Sequence, residues 1–122
     1  MTSRRSIVFD LDDTICFPNH KETDSHMKYG LAAPNVAIIE AMQKLSDAGY
    51  YITISSARRM LTHDGNIAKI IGDIGDITEK WLNEHNVPYD DIHYGKPYSS
   101  TYYVDDKAMT PEMFCQNVNF ML

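Results

Sequence analysis

The sequence predicts an α/β fold in which a central parallel sheet carries helices on both faces. Short segments rich in β-branched and aromatic residues alternate with segments whose apolar residues recur at helical spacing. Acidic or hydroxyl side chains follow several strand segments, as expected where ligands bind at the carboxyl edge of a parallel sheet. The 122 residues suffice for one domain with a modest core. No repeat or linker divides them, so we expect a single domain over 1–122.

The segment up to residue 49 predicts a strand, a loop and a helix. Residues 6–10, SIVFD, form an apolar run typical of a buried strand. Residues 16–33 are polar, show no clear period, and predict a loop or small flap. Pro34 suits the first turn of a helix that Gly49 would end. The apolar face of this helix comprises Ile38, Met42 and Leu45.

The rest of the chain predicts three more strands and further helices. The strands are favoured by β-branched and aromatic residues and cover 50–55, 91–94 and 100–104. Helices are predicted over 66–72 and 76–86. Thr110 and Pro111 predict the cap and first residue of a last helix.

Chemically active side chains follow each predicted strand. If the sheet is parallel, one edge collects Asp10, Asp12, Ser55, Ser56, Arg58, Lys96, Asp105 and Asp106. Clustered carboxylates repel one another, and a divalent cation with oxygen ligands relieves that repulsion. Magnesium is the expected cation, because it binds a few carboxylates together with water and substrate phosphate.

Asp10 and Asp12 should lie on the same side of the first strand, with Leu11 pointing away. Two carboxylates on one side can divide the work of a reaction. One can act as a nucleophile and the other as a proton donor and acceptor.

Four motifs, in order, resemble those of the haloacid dehalogenase (HAD) superfamily. DLDDT resembles its D-x-D-x-T motif, ITISSAR its second motif, the lysine of GKP its third, and YYVDD its fourth. The motifs span residues 7–106. The resemblance implies a Rossmann-like three-layer sandwich and magnesium-dependent phosphatase activity. The surrounding sequence further resembles proteins labelled capsule-biosynthesis phosphatases.

The resemblance also implies catalytic roles. Asp10 would attack phosphorus to form an aspartyl-phosphate, and Asp12 would protonate the leaving oxygen and then activate water. Ser56 would hydrogen-bond the transferring phosphoryl group, and Lys96 would offset its charge. Magnesium would be held by the Asp10 carboxylate, the Asp12 carbonyl, and Asp106 or Asp105.

Some features depart from the superfamily pattern. Asp13 stands where many members have glycine, and the second motif carries serine instead of the commoner threonine. Neither gap between motifs is long enough for a folded cap domain, so we expect no sizeable cap and an open site. Such a site could accept the end of a large substrate or borrow a lid from a partner subunit. One of Arg58 and Arg59 could clamp a second anionic group of the substrate, with Arg58 named as the substrate-binding residue and surface charge on the loop as the alternative for both.

Composition leaves several substrate classes open. The net charge of -6 favours a sugar phosphate or another small phosphorylated metabolite over a nucleic acid, although a polynucleotide end stays open. A non-catalytic phosphate-binding protein and a dehalogenase are two further hypotheses, and the presence of Asp12 argues against the dehalogenase. Cys16 and Cys115 are expected to be free thiols. We find neither a signal peptide nor a membrane-length apolar run, and so expect a cytoplasmic protein.

Overall fold

A computed structural model describes residues 5–122. The first four residues belong to the predicted domain and to the N-terminal segment in which we expect no signal peptide, and they lie outside the described residues. The elements in chain order are β1 (Ser6–Asp10), β2 (Cys16–Phe17), α1 (Ser25–Gly30), β3 (Ala33–Pro34), α2 (Val36–Asp47), β4 (Tyr51–Ser56), α3 (Ile67–Ile70), a π-helix (Ile71–Gly75), α4 (Asp76–Glu84), β5 (Asp91–Tyr94) and α5 (Pro111–Met121). No helix within residues 5–122 is long and apolar enough to cross a membrane.

The central sheet is parallel, as predicted, and its strand order is β1-β4-β5. In its register Asp10 lies opposite Ser55, and Ser56 lies opposite Tyr94. Burial alternates along β4, where Ile52 and Ile54 are buried in the core. The carboxyl ends of all three strands therefore meet at one edge, where the sequence places the predicted site.

Helix α2 supplies much of the core through the predicted apolar face, since Ile38, Met42 and Leu45 are all fully buried. Its predicted start at Pro34 is wrong. Pro34 pairs with Cys16 in a short strand, and Asn35 is the residue that caps the helix. Proline is tolerated both in a short edge strand and in the first turn of a helix. The sequence alone therefore does not discriminate between these two positions for Pro34.

The other helices complete the core around the sheet. Trp81 of α4 is 2% exposed and its indole nitrogen donates to the carbonyl of Ala32 at 2.9 Å. Thr110 caps α5 as predicted, and Phe114 packs edge-on against Phe9 of β1 with ring centroids 5.1 Å apart. Helix α1 packs against α4, and α2 packs against α5.

The segment predicted as a loop or flap has more structure than expected. Strands β2 and β3 pair antiparallel, and the residues between them include helix α1. The side chain of Asp24 caps this helix by accepting from the backbone amides of His26 and Met27. With only 6 residues, α1 is too short to show a helical period in the sequence.

The predicted strand over 100–104 is wrong. Tyr102 and Val104 are 81% and 98% exposed, and the segment is irregular. Hydrogen bonds hold it in a local loop: the Tyr103 hydroxyl donates to the carbonyl of Pro97 at 2.6 Å and accepts from the amide of Ser99 at 3.0 Å. The β-branched and aromatic composition was misleading because strand propensity counts only where a neighbouring strand is paired.

Candidate active site

The turn after β1 brings two carboxylates to one side of the sheet edge. Asp10 and Asp12 line the same pocket, while Leu11 between them is 1% exposed in the core. The next residue, Asp13, has φ of 64°, a left-handed conformation that favours glycine and that aspartate tolerates. Its amide donates to the carbonyl of Cys16 at 2.7 Å and so closes the turn.

Lys96 forms an ion pair with Asp10, with Nζ 3.0 Å from Oδ1. The side chains are 22% and 36% exposed, so both groups are partly desolvated, and Asp10 lines the pocket. The Thr14 hydroxyl donates to the other carboxylate oxygen of Asp10 at 3.4 Å. The structure thus unites two residues predicted from motifs 86 positions apart.

A backbone clamp positions Lys96. The carbonyl of Ser56, at the end of β4, accepts from the amides of Gly95 and Lys96 at 3.1 and 3.0 Å. Gly95 has φ of 108°, and a Cβ there would lie 2.5 Å from Cδ1 of Ile67. Glycine at this position is therefore favoured by the backbone conformation, whereas the terminal methyl of Ile67, a residue that is 40% exposed, can shift aside.

Ser56 itself is buried, with 1% of its surface exposed. Its hydroxyl oxygen accepts from the amide of Arg58 at 3.1 Å, which leaves the hydroxyl proton to donate elsewhere. Ser55 is half-buried beside Asp10 in the sheet register. The role expected for Ser56, hydrogen-bonding a phosphoryl group, stays a prediction.

Arg58 is turned inward against Asp12. Its Nε donates to both carboxylate oxygens at 3.1 and 3.0 Å, and its Nη2 donates to Oδ1 at 2.8 Å. The Arg58 side chain is only 1% exposed. Burial alone would lower the pKa of Arg58, but the hydrogen bonds and charge of Asp12 outweigh it and raise that pKa. Arg58 is thus firmly charged and fixes the orientation of the second acid.

Three residues that the sequence did not single out for the site surround this ion pair. Thr78 of α4 accepts from Nη1 of Arg58 at 2.9 Å, and the Tyr29 ring of α1 lies 4.3 Å from the guanidinium carbon. The Cys16 thiol lies 3.4 Å from Oδ1 of Asp12. Burial and then the charge of Asp12 raise the pKa of Cys16 well above its usual range, so this thiol stays protonated and is not a nucleophile. Both cysteines are free, as predicted.

The carboxylates lie in an open pocket of about 540 Å³, within the range usual for ligand sites. The tyrosine rings of Tyr98 and Tyr103 are half exposed on its wall, and Lys96 Nζ lies 4.2 Å above the Tyr103 ring. The complete lining comprises Asp10, Asp12, Asp13, His20, Lys28, Tyr29, Ala57, Arg58, Tyr98, Ser99 and Tyr103.

The structure does not bring Asp105 and Asp106 to this pocket. Both are exposed, and Asp105 accepts from the amide of Lys107 in a local turn. Across residues 5–122 no group of three or more histidine, cysteine, aspartate or glutamate side chains is arranged to hold a metal ion. The expected magnesium ligands are therefore only partly assembled, with Asp10 and Asp12 together and the third acid elsewhere.

Asp73 anchors a second polar cluster, which the sequence did not indicate. Arg59 Nε lies 2.7 Å from Asp73 Oδ2, His63 Nε2 2.8 Å from the same oxygen, and His26 Nε2 3.1 Å from Oδ1. Hydrogen bonds from His63 and then from Arg59 lower the pKa of Asp73 well below its usual range. The cluster ties α1 to the loop after β4 and to the π-helix.

Comparison with solved structures identifies the fold. A protein from Vibrio cholerae whose crystal structure is known is 32% identical, with a TM-score of 0.81 over 96% of this chain and 95% of that one. The two chains belong to one family. No protein-family model matches the sequence, and no curated protein matches it significantly.

More distant structures are similar in fold alone. A D,D-heptose bisphosphate phosphatase from B. bronchiseptica, crystallised with magnesium and phosphate, is 15% identical with a TM-score of 0.51. A chain of the Pnkp1/Rnl/Hen1 complex is 16% identical with a TM-score of 0.59. This chain spans 64% of the former and 34% of the latter. The α/β fold is HAD-like, as the resemblance implied, although the strand of the fourth motif does not form.

Proposed function

We propose that this protein is a magnesium-dependent phosphomonoester hydrolase that forms an aspartyl-phosphate intermediate. The observation that carries the proposal is the 3.0 Å pair of Asp10 and Lys96, beside Asp12, at the carboxyl edge of a HAD-like sheet. A partly exposed carboxylate held by an ammonium group suits nucleophilic attack on a phosphoryl group whose developing charge needs a cation.

Each step uses residues at the carboxyl edge of the sheet, two of which, Asp10 and Asp12, line the pocket. An Asp10 carboxylate oxygen attacks phosphorus while the ester bond breaks, and Asp12, which enters this step protonated on Oδ2, gives that proton to the departing oxygen. Water then attacks the aspartyl-phosphate, Asp12 takes its proton, and inorganic phosphate leaves. Lys96 and the Ser56 hydroxyl stabilise the phosphoryl oxygens in both steps.

Asp12 retains the capacity for this proton transfer despite its ion pair. Its Oδ1 accepts from two nitrogens of Arg58, but its Oδ2 accepts only from Nε. Because a carboxylate oxygen has two lone pairs, Oδ2 keeps one for a proton. Arg58 therefore orients Asp12 without using up its basic site.

The pocket carboxylates are suited to magnesium. This ion commonly takes one or two protein carboxylates and completes its shell with water and substrate phosphate. Asp10, together with the carbonyl of Asp12, would hold it, and it would supply charge stabilisation to the transferring phosphoryl group. Asp105 or Asp106 stays a prediction as a further ligand. If either binds the ion, changing it to Asn will raise the magnesium concentration needed for half-maximal activity.

A sugar phosphate or other small phosphorylated metabolite, as in polysaccharide biosynthesis, is the substrate class that we propose first. The net charge of -6 supports it over a nucleic acid. A polynucleotide end is the second candidate, because the pocket is open and half-exposed tyrosines line it. A reducing, cytoplasmic location is proposed from the two free thiols.

The test is to trap the intermediate. The protein is quenched in acid during turnover of an aryl phosphate with magnesium, and peptide mass spectrometry locates the phosphoryl group. We expect it on Asp10, and we expect Asp10→Asn to carry none and to release no phosphate. The matched control is Asp13→Asn, which changes a neighbouring pocket carboxylate and should still be phosphorylated.

Different results would favour a different function. Phosphate binding to the parent without any turnover, across sugar phosphates and polynucleotide ends, would indicate a non-catalytic binding protein. Turnover that persists in Asp10→Asn would refute the proposed nucleophile. Asp12→Asn should slow turnover by about 10²- to 10⁴-fold, the usual contribution of a proton-transfer group.

A further inference from the structure

Each charged side chain that lines the pocket contacts a partner side chain, either one of opposite charge or a histidine, with one exception. Asp10 pairs with Lys96, Asp12 with Arg58, and Asp13 with His20, whose Nε2 lies 3.1 Å from the carboxylate. Among the described residues, no carboxylate lies within ion-pair distance of the remaining pocket cation, Lys28. Its ammonium group instead lies 5.2 Å from the centre of the Tyr29 ring.

Helix α1 fixes Lys28 at this place. The amide of Lys28 donates to the carbonyl of Asp24, the residue that caps the helix, at 2.8 Å. The adjacent Tyr29 stacks on the buried guanidinium of Arg58 at 4.3 Å, which ties α1 to the Asp12 ion pair. At the far side of α1, His26 contacts Asp73. Lys28 is half-buried at the pocket and is held there by contacts on both sides of its helix.

We infer that Lys28 binds a second anionic group of the substrate. Lys96 already neutralises the nucleophilic carboxylate and would serve the reacting phosphoryl group, and Arg58 is occupied by Asp12. An anion on the part of the substrate that does not react would leave Lys28 paired like the other pocket charges. The attraction between an anion and a half-buried ammonium group is stronger than that to a fully exposed one, because water screens the two charges incompletely.

The substrate class is therefore a phosphomonoester that carries another phosphate or phosphodiester within the same pocket. Two sources share this chemistry: a bisphosphorylated sugar, and a nucleotide whose other end is phosphorylated or linked to a chain. This inference rests on the proposed phosphatase function and adds a binding contact that an aryl phosphate lacks, so an aryl phosphate is expected to be hydrolysed without help from Lys28.

The test compares matched substrates that differ by one anion. The sugar pair is fructose 1,6-bisphosphate and fructose 6-phosphate; the nucleotide pair is adenosine 3′,5′-bisphosphate and adenosine 3′-monophosphate. For each pair, the ratio of kcat/KM for the bisphosphate to that for the monophosphate is measured in the parent, Lys28→Gln, Lys28→Arg and Lys21→Gln. A bisphosphate offers two phosphate esters to the enzyme instead of one, which multiplies its kcat/KM by the same factor in every variant. This factor therefore cancels when the ratios of the variants are compared.

We expect Lys28→Gln to lower this ratio by about tenfold in at least one pair, chiefly through KM, as loss of a charged hydrogen bond would. Lys28→Arg should restore most of the ratio. Lys21→Gln, an exposed lysine of the same flap outside the pocket lining, should keep the parent ratio. The pair that responds identifies the source of the second anion.

The inference would be overturned if the bisphosphate-to-monophosphate ratio of kcat/KM were the same in the parent and in Lys28→Gln for both the sugar pair and the nucleotide pair. This holds even if aryl phosphate hydrolysis is fully active. If the parent hydrolyses nothing, the proposed function fails instead. Calorimetric binding of the same compounds to the parent and to Lys28→Gln then still tests Lys28. Equal affinities for bisphosphate and monophosphate would refute its role.

Discussion

Replacing Arg58 by Met tests how strongly the buried ion pair supports the site. The parent guanidinium donates three hydrogen bonds to Asp12 and one to Thr78, and its side chain is 1% exposed. Methionine fills much of the volume but leaves the Asp12 carboxylate, 23% exposed, without its partner. Breaking a buried pair in this way costs about 3–5 kcal/mol. Because Asp12 is partly solvated, we expect about 3 kcal/mol.

The assay is urea unfolding followed by the fluorescence of the buried Trp81. The urea curves give the free energy of unfolding directly. In a thermal melt followed by the same fluorescence, a loss of about 3 kcal/mol would lower the midpoint by roughly 10 °C in a domain of this size. The matched control is Lys80→Met, which removes an exposed pair with Glu84 at 3.8 Å and should cost less than about 0.5 kcal/mol. If Arg58→Met unfolds within about 1 kcal/mol of the parent, the buried pair does not support the site as described.

Three further substitutions test local features of the site. Asp13→Gly should stabilise the fold by about 0.5–1 kcal/mol in urea unfolding, because glycine relieves the positive φ and the exposed contact with His20 contributes little; a destabilised variant would contradict this. Gly95→Ala should cost about 1–2 kcal/mol and lower kcat/KM for an aryl phosphate, since its φ of 108° and the approach to Ile67 disturb the clamp on Lys96; parent-like kinetics would show that the clamp does not position Lys96. Asp73→Asn should cost about 1–2 kcal/mol at neutral pH. Because the folded protein keeps Asp73 ionised to lower pH than the unfolded chain does, the stabilisation is present above about pH 4 and is lost as the pH falls towards the lowered pKa. The difference between parent and variant in urea unfolding should therefore shrink below about pH 4, and a constant difference would exclude this linkage.

Residues whose positions follow from strand ends could be predicted from the sequence. Asp10 and Lys96 stand at the ends of separate strands. Parallel strands bring their carboxyl ends to one edge of the sheet, independently of the conformation of the loops between them. The three strands of the sheet, β1, β4 and β5, were each predicted, the first from its apolar run and the other two from β-branched and aromatic residues. The pair that carries the proposed function was therefore predictable without knowledge of any side-chain geometry.

Residues whose roles depend on side-chain direction could not be predicted. Arg58 follows the second strand as expected, but the sequence does not tell whether its guanidinium turns outward to a ligand or inward to Asp12. Thr78 offered a weak signal, a polar residue three positions before Trp81 on the inward face of α4. Lys28 and Tyr29 lie on a helix of 6 residues, too short to show a helical period, in a segment that the sequence predicted to be a loop or flap.

The error over 100–104 has a different physical origin. Its residues favour a strand locally, yet the hydroxyl of Tyr103 bonds within the loop and leaves the segment unpaired. Strand formation requires a partner at the right register, a condition that local composition does not contain. The positions of Asp105 and Asp106 followed from that strand, so they departed from the prediction together with it.

The most direct measurement is the initial rate of aryl phosphate hydrolysis, with magnesium and with a chelator, for the parent, Asp10→Asn and Asp13→Asn. We expect magnesium-dependent phosphate release in the parent and in Asp13→Asn, and none in Asp10→Asn. Release that survives in Asp10→Asn, or that is unchanged when the chelator is present, would contradict the proposed chemistry.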